Sequence, residues 1–443
     1  MKKAIIIALP ILVGLGLIIG LKLVSRENVQ TISPASDLSG GDSRSVSDKQ
    51  VSRALATIQR HQSSPDGYNL LASAYLQKAR ETGDFSLNSR AESAIARSLE
   101  LAPDNFDAYS LRAVLLLNYH RFSEALSAAL RAQSLRPGVP YVYGAIADAL
   151  VELGEYGRAV EAAQTMVDTR PDTASYSRIS HLRSLYGDTD GAIEVMTDAV
   201  KSAGSAENAG WCRIHLGVEL INAGRLADAE REFDLALQDM PGYYAALAAK
   251  ARARAIAGDY PAAIELYRES KERVPQPDTI IALGDLYSSL GRLDDAKREY
   301  DLLGLVERAS DSQTYRRQLA LFWADHEIRL DEALDTARQE RAARSDIYSS
   351  DLLAWCLFKK NRIEEAGRSA DEALSLGAHD ARIFYHSGMI YAALGNSVRA
   401  IRSLKLALKY RVSFDNSISS FGPLQERDAR EALERLATVT KSP

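Results

Sequence analysis

Residues 147–171 read ADALVELGEYGRAVEAAQTMVDTRP, and the fold turns on this stretch. Its second half carries apolar residues at Ala159, Val160, Ala163, Met166 and Val167. That spacing lays one apolar stripe along an α-helix. Gly154 suits a left-handed residue closing the helix before it, where a side chain would meet a steric penalty. Pro171 ends the second helix, because proline has no amide hydrogen and clashes with the preceding turn. The stretch predicts two helices joined by a tight turn.

The pattern recurs along the chain. Ala159 is one of ten alanines, the others being Ala91, Ala125, Ala192, Ala229, Ala263, Ala296, Ala333, Ala366 and Ala400. Their spacings are 34, 34, 33, 37, 34, 33, 37, 33 and 34. Alanine is common, so the neighbours decide. Twelve residues before the anchor stand Ala113, Ala147, Ser180, Gly217, Ala251, Gly284, Leu321, Ala354 and Gly388. Small residues there let two antiparallel helices approach closely. Five before the anchor stand His120, Gly154, Gly187, Gly224, Gly258, Gly291, Ile328, Asn361 and Gly395. Three before it, residues such as Phe122, Tyr156, Leu226 and Tyr260 plug the gap between the helices. Twelve after it come Pro103, Pro137, Pro171, Gly204, Pro241 and Pro275, but Arg308, Ser345, Ala378 and Val412 replace this marker in the last four units.

These markers resemble the tetratricopeptide repeat, a helix–turn–helix unit with the same period. The resemblance covers about Pro65 to Tyr410. It implies an all-α solenoid of about ten repeats, wound as a right-handed superhelix with a concave groove. Departures are local. The first unit has extra residues around Glu81–Asn88, the junction at Lys201–Gly210 is lengthened, and the second helix of the seventh unit extends through Leu302–Ala309. The eighth unit breaks the pattern at Leu321 and Ile328.

Outside the repeats, Lys2 and Lys3 precede the apolar run Ala4 to Leu21, and Lys22 follows. A helix over that run is long enough to cross a bilayer core, at about 27 Å. The run reads as an uncleaved, single-pass transmembrane anchor. A cleavable signal peptide is the other reading, although Gly20–Ser25 offers no pair of small residues for cleavage. The flanking lysines favour a cytoplasmic N-terminus and repeats on the exported side. Gly16 and Gly20 form a GxxxG that suits helix dimerisation, and hence a homodimer. The chain then divides into a membrane helix (1–27), a Ser/Gly-rich tether (28–48), a helical cap (49–64), the repeat array (65–412) and a loop with a capping helix (413–443).

Net charge is −5, which argues against a general nucleic-acid binder. No GxxxxGK[ST], HExxH, GxSxG or CxxC occurs, so no catalytic role, cofactor or metal is expected. Cys212 and Cys356 lie four repeats apart, too far for a disulfide.

By the resemblance, function lies in first-helix side chains facing the groove. Two clusters fall there: Trp211, His215, His181 and Arg252 in the middle, and Tyr348, Trp355, Phe358, Tyr385, His386 and Met389 near the C-terminus. Trp, Tyr and Arg dominate binding hot spots, so a protein or peptide partner is expected on an exposed aromatic stripe. The other reading is glycan or small-ligand binding on the same stripe. The whole reads as a membrane-tethered scaffold of an exported cell-envelope assembly.

Overall fold

The computed structural model describes residues 46–82, 84, 86–309, 315–410 and 422–439. Among them are 22 helices and no strand. An opening helix α1 (Val46–Arg60) is followed by ten antiparallel pairs. The first five pairs are α2 (Pro65–Thr82) with α3 (Leu87–Leu101), α4 (Phe106–Asn118) with α5 (Phe122–Leu135), α6 (Pro140–Glu152) with α7 (Tyr156–Thr169), α8 (Thr173–Leu185) with α9 (Thr189–Lys201), and α10 (Ala206–Asn222) with α11 (Leu226–Asp239). The last five are α12 (Tyr244–Ile256) with α13 (Tyr260–Arg273), α14 (Pro277–Ser289) with α15 (Leu293–Ala309), α16 (Arg316–Asp325) with α17 (Leu330–Ala343), α18 (Ile347–Lys359) with α19 (Ile363–Ala373), and α20 (Ala381–Ala393) with α21 (Ser397–Lys409). Helix α22 (Pro423–Val439) packs on the last pair. The anchor run, Gly16, Gly20 and the tether to residue 45 lie outside the described residues. No described helix is long and apolar enough to cross a membrane.

Side chains start many of these helices. Asn105, Asp188, Ser205, Asp346 and Asp380 each accept a hydrogen bond from a backbone amide of the first turn, and Asp172 forms a reciprocal box with Ser175. The first helices then stop at a left-handed residue. Gly154, Gly187, Gly224, Gly258, Gly291 and Gly395 have φ between 72° and 80°, and His120 and Asn361 take φ of 56° and 57°. The eighth unit differs from its sequence register. Its left-handed residue is Glu327, one before Ile328, and Arg329 at φ 47° makes a second. Without a glycine, this turn needs two strained residues and starts α17 with no side-chain cap.

The column of small residues has a direct steric cause. A Cβ on Gly217 would stand 2.3 Å from the Phe233 ring, on Gly284 2.4 Å from Tyr300, and on Gly388 2.7 Å from Leu404. The anchor alanines are buried to 3 % or less, between the same helices. Gly224 tests the turn separately, since nothing lies within 4 Å of its would-be Cβ. Gly224→Val should cost about 1–2 kcal/mol from backbone strain alone, read as a lower midpoint in urea. An unchanged midpoint would remove the left-handed turn from the account.

Successive first helices pack directly on one another, as in α2–α4–α6–α8–α10–α12 and α14–α16–α18–α20. A row packed this closely forms the shorter, concave side of the array. The winding is also tight enough for the array to touch itself. The Ser345 amide donates to the Glu152 carbonyl (2.7 Å), and the Ile347 amide to the Tyr156 hydroxyl (2.9 Å). The Thr189 hydroxyl meets His379 Nδ1 at 3.3 Å. Turns of the third and fourth units thus rest on the junctions that enter the ninth and tenth. Ile347, Ala373, Ala378 and Ile383 join one apolar core with residues of the second to fourth units.

Candidate functional site

The sequence pattern predicts an exposed aromatic stripe on the inner face, and the structure buries much of it. Trp355, Tyr385 and His386 are 2 %, 4 % and 1 % exposed. The reason is the neighbouring unit. The His386 ring on α20 stacks on Trp355 at 4.0 Å, 13° from parallel, and Phe358 stacks at 5.1 Å. Tyr385 approaches at 5.6 Å, and Lys359 Nζ stands 4.8 Å from the ring centre, near enough for a cation to be attracted to the ring face. Trp355 Nε1 donates to Asp325 on α16 at 2.7 Å. That bond satisfies the indole, as a buried tryptophan requires. His386 Nδ1 lies 2.9 Å from Asp351, and Arg382 Nε donates to the same carboxylate at 3.1 Å. Burial opposes the charge on Asp351, but His386 and Arg382 outweigh it and hold the carboxyl below its usual range. Asp325 is pushed up by burial. Three units are therefore tied by one polar and aromatic stack. Tyr348, Phe358 and Met389 remain partly exposed beside it.

The middle cluster is also mostly buried. Trp211 is partly exposed and its ring lies 3.9 Å from that of His215. His215, His181 and Arg252 are buried. Burial pushes His215 down to about 3, and burial with His215 and Arg178 nearby pushes His181 well below the usual range. Both shifts favour the neutral imidazole. Among the described residues, neither ring nitrogen of His181 has a hydrogen-bond partner. Arg178 grips Asp148 with two bonds of 2.8 and 2.5 Å, joining α8 to α6. Such a two-pronged, charge-assisted pair fixes geometry as well as adding energy.

Glu219 on α10 is buried too, at a position that no repeat marker singles out. It receives Ser184 Oγ at 3.1 Å and Asn222 at 3.5 Å, and burial raises it to about 7. A carboxyl raised in the folded chain adds stability that is full below its unfolded value and is lost as pH rises through the folded one. Glu219 therefore makes the chain less stable from about pH 5 to about pH 7, by up to about 1.4 kcal/mol per unit. Glu219→Gln should flatten part of that slope in urea midpoints taken at both ends. A slope equal to that of the parent would assign the effect to other groups.

Among the described residues no group of three or more His, Cys, Asp or Glu could hold a metal ion. Cys212 and Cys356 are free and buried, and burial pushes Cys212 up to about 12.

Ten helix pairs with left-handed turns and small-residue contacts agree with the known-protein comparisons. Residues 145–207 and 215–276 match the family model described as tetratricopeptide repeat. No curated protein matches the chain. Among solved structures, the chain is similar to the human IFIT1 dimer with m7Gppp-AAAA, at 15 % identity over 75 % of this chain and 77 % of that one, with a TM-score of 0.50. It is also similar to Pseudomonas aeruginosa pilF, at 17 % identity over 49 % of this chain and 94 % of that one, with a TM-score of 0.38. At 15 % identity the likeness to the IFIT1 structure concerns the fold alone. The two matched segments run from within α6 to just past the end of α13 and include His181, His215 and Arg252, while Trp211 lies between them.

Proposed function

We propose that this chain is a membrane-tethered, non-catalytic scaffold that binds a protein or peptide partner on the inner face of its array, within an exported cell-envelope assembly. The observation that carries the reading is the array itself, ten consecutive helix pairs containing two tetratricopeptide segments. Such repeats generally mediate protein or peptide binding. Tethering rests on the apolar run Ala4 to Leu21 between lysines, and Gly16 with Gly20 supplies a face for a homodimer.

Partner contact belongs to the inner-face side chains that keep some exposure: Trp211, Tyr348, Phe358 and Met389. Trp355, Tyr385, His386, His181, His215 and Arg252 form the frame that holds them. Sugar stacking would need open aromatic faces, and both Trp355 and Tyr385 are covered.

The test is capture from detergent-solubilised membranes with the full chain and with Phe358→Ala plus Met389→Ala. The reading expects one stoichiometric protein partner and at least about tenfold weaker capture by the variant. Equal capture, or a retained glycan without protein, overturns the partner assignment. Release of the chain into a soluble exported fraction overturns the tether.

A further inference from the structure

The contacts that join distant units carry an excess of acidic groups. Arg344, in the junction between α17 and α18, lies 3.0 Å from Glu152, 3.2 Å from Glu340 and 4.0 Å from Asp346. Arg317 on α16 lies 3.5 Å from Asp346. All five residues are 6 % exposed or less. Three carboxyls thus face two guanidiniums in a space closed to water. The titratable neighbours among the described residues do little to offset this excess. His120, from the α4–α5 turn, is pushed down to about 3, by burial first and then by Arg344 and Arg317. Tyr156 on α7 stays a neutral phenol, raised well above its usual value by burial. Arg382 shares the Tyr348 ring with Arg317 but is paired with Asp351. The Arg344 guanidinium also rests 4.8 Å from the Phe122 ring, which is apolar.

We propose that this seam is a proton-held latch: one of its three carboxyls keeps a proton while the seam is closed and releases it to water when the seam opens, so that rising pH favours opening. This goes beyond partner binding and does not depend on it.

Charge balance asks for the proton, and the geometry points to Glu152 as its holder. Glu152 and Asp346 converge from opposite sides of the seam on one Arg344 nitrogen, at 3.0 and 4.0 Å. Two buried carboxyls brought this close repel each other when both are charged, which favours a proton on one of them. Burial opposes the charge on Asp346 too, but Arg317 and Arg344 keep it below its usual range, so the proton falls to Glu152. Burial pushes Glu152 up to about 8, with Arg344 opposing and Asp346 adding to the rise. With the seam open, Glu152 returns to the ordinary carboxyl range near 4.5. Opening therefore releases a proton between those two values. Its equilibrium constant rises up to about tenfold per pH unit there and levels off above about pH 8.

Two amides report the seam, because their acceptors lie on the far side: Ser345 to the Glu152 carbonyl and Ile347 to the Tyr156 hydroxyl. The Ala366 amide, bonded to Arg362 within its own unit, is the reference. Hydrogen exchange of the full chain, corrected for intrinsic rates, should show protection at Ser345 and Ile347 falling at least about tenfold from about pH 5.5 to about pH 8. Protection at Ala366 should hold. Glu152→Gln keeps the shape without the titration, and Asp346→Asn keeps the helix cap while restoring two charges against two. Either should abolish the fall. A parent chain with no fall overturns the latch, whatever the variants do. So does a fall that persists in a folded variant, or one shared by Ala366, which would mark general unfolding.

Discussion

Arg344→Ala lowers the stability of the array by about 3–5 kcal/mol, the cost typical of removing one member of a buried ion pair. Arg344 serves Glu152, Glu340 and Asp346 at once, at 3 % exposure. Truncation leaves the acidic groups with Arg317 as the remaining cation of the cluster and strips the cover from the Phe122 ring. The loss is not a measure of what the ion cluster contributes. Most of it is the penalty of keeping carboxylates dry without their partner. Adding Glu340→Gln to Arg344→Ala should therefore recover part of the loss, because that carboxyl, 3.2 Å from the guanidinium, then needs no counter-charge. Urea midpoints of the parent, the single variant and the double variant decide this. A double variant no more stable than Arg344→Ala would mean that the guanidinium acts by filling space.

Trp355→Ala is expected to cost about 3–5 kcal/mol as well. Its ring is the middle layer between Phe358 and His386, and its indole nitrogen is the donor to Asp325. Two losses combine: the volume of the largest side chain, and a buried carboxyl deprived of a donor. Trp355→Phe separates them, keeping much of the stack and losing the hydrogen bond, and should fall between the parent and alanine. Thermal and urea unfolding both serve as readouts. A ring lying open in a groove would leave the stability within about 0.5 kcal/mol of the parent. That outcome would restore the exposed stripe.

The helix pairs, their turns and their order were legible because each rests on local rules. A glycine five residues before an alanine is read from one unit at a time, and Gly154, Gly187 and Gly224 all take the left-handed backbone that the pattern implies. That Trp355, Tyr385 and His386 stand on first helices was legible as well. Their exposure was not, because it depends on how far each unit rotates against the next, and no single unit encodes that rotation. His386 covers Trp355 from the following unit, and a slightly wider rotation would uncover it. The seam was hidden for a related reason, since its partners lie 190 or more residues apart. One trace of it was visible. The proline marker disappears at Ser345, whose amide donates across the seam, and a proline has no hydrogen to give. At that position the loss of the repeat marker meets a hydrogen-bonding need. Glu327 and Arg329 give the opposite case, a turn displaced by one residue because no glycine stood where the pattern wanted one.

Repeat arrays commonly tolerate the gain or loss of a unit, because every unit meets only its neighbours. This chain has given up that freedom over its middle. Glu152 meets Arg344, Tyr156 meets Ile347 and Thr189 meets His379 at separations of 192, 191 and 190 residues. Duplicating or deleting one unit between Gly154 and Ser345 would bring each turn against the wrong junction, with Gly154 and Gly187 no longer opposite the backbone oxygens they make room for. The number of units inside that interval is therefore fixed by the structure. Tolerated changes of length belong outside it, before the third unit or after the tenth.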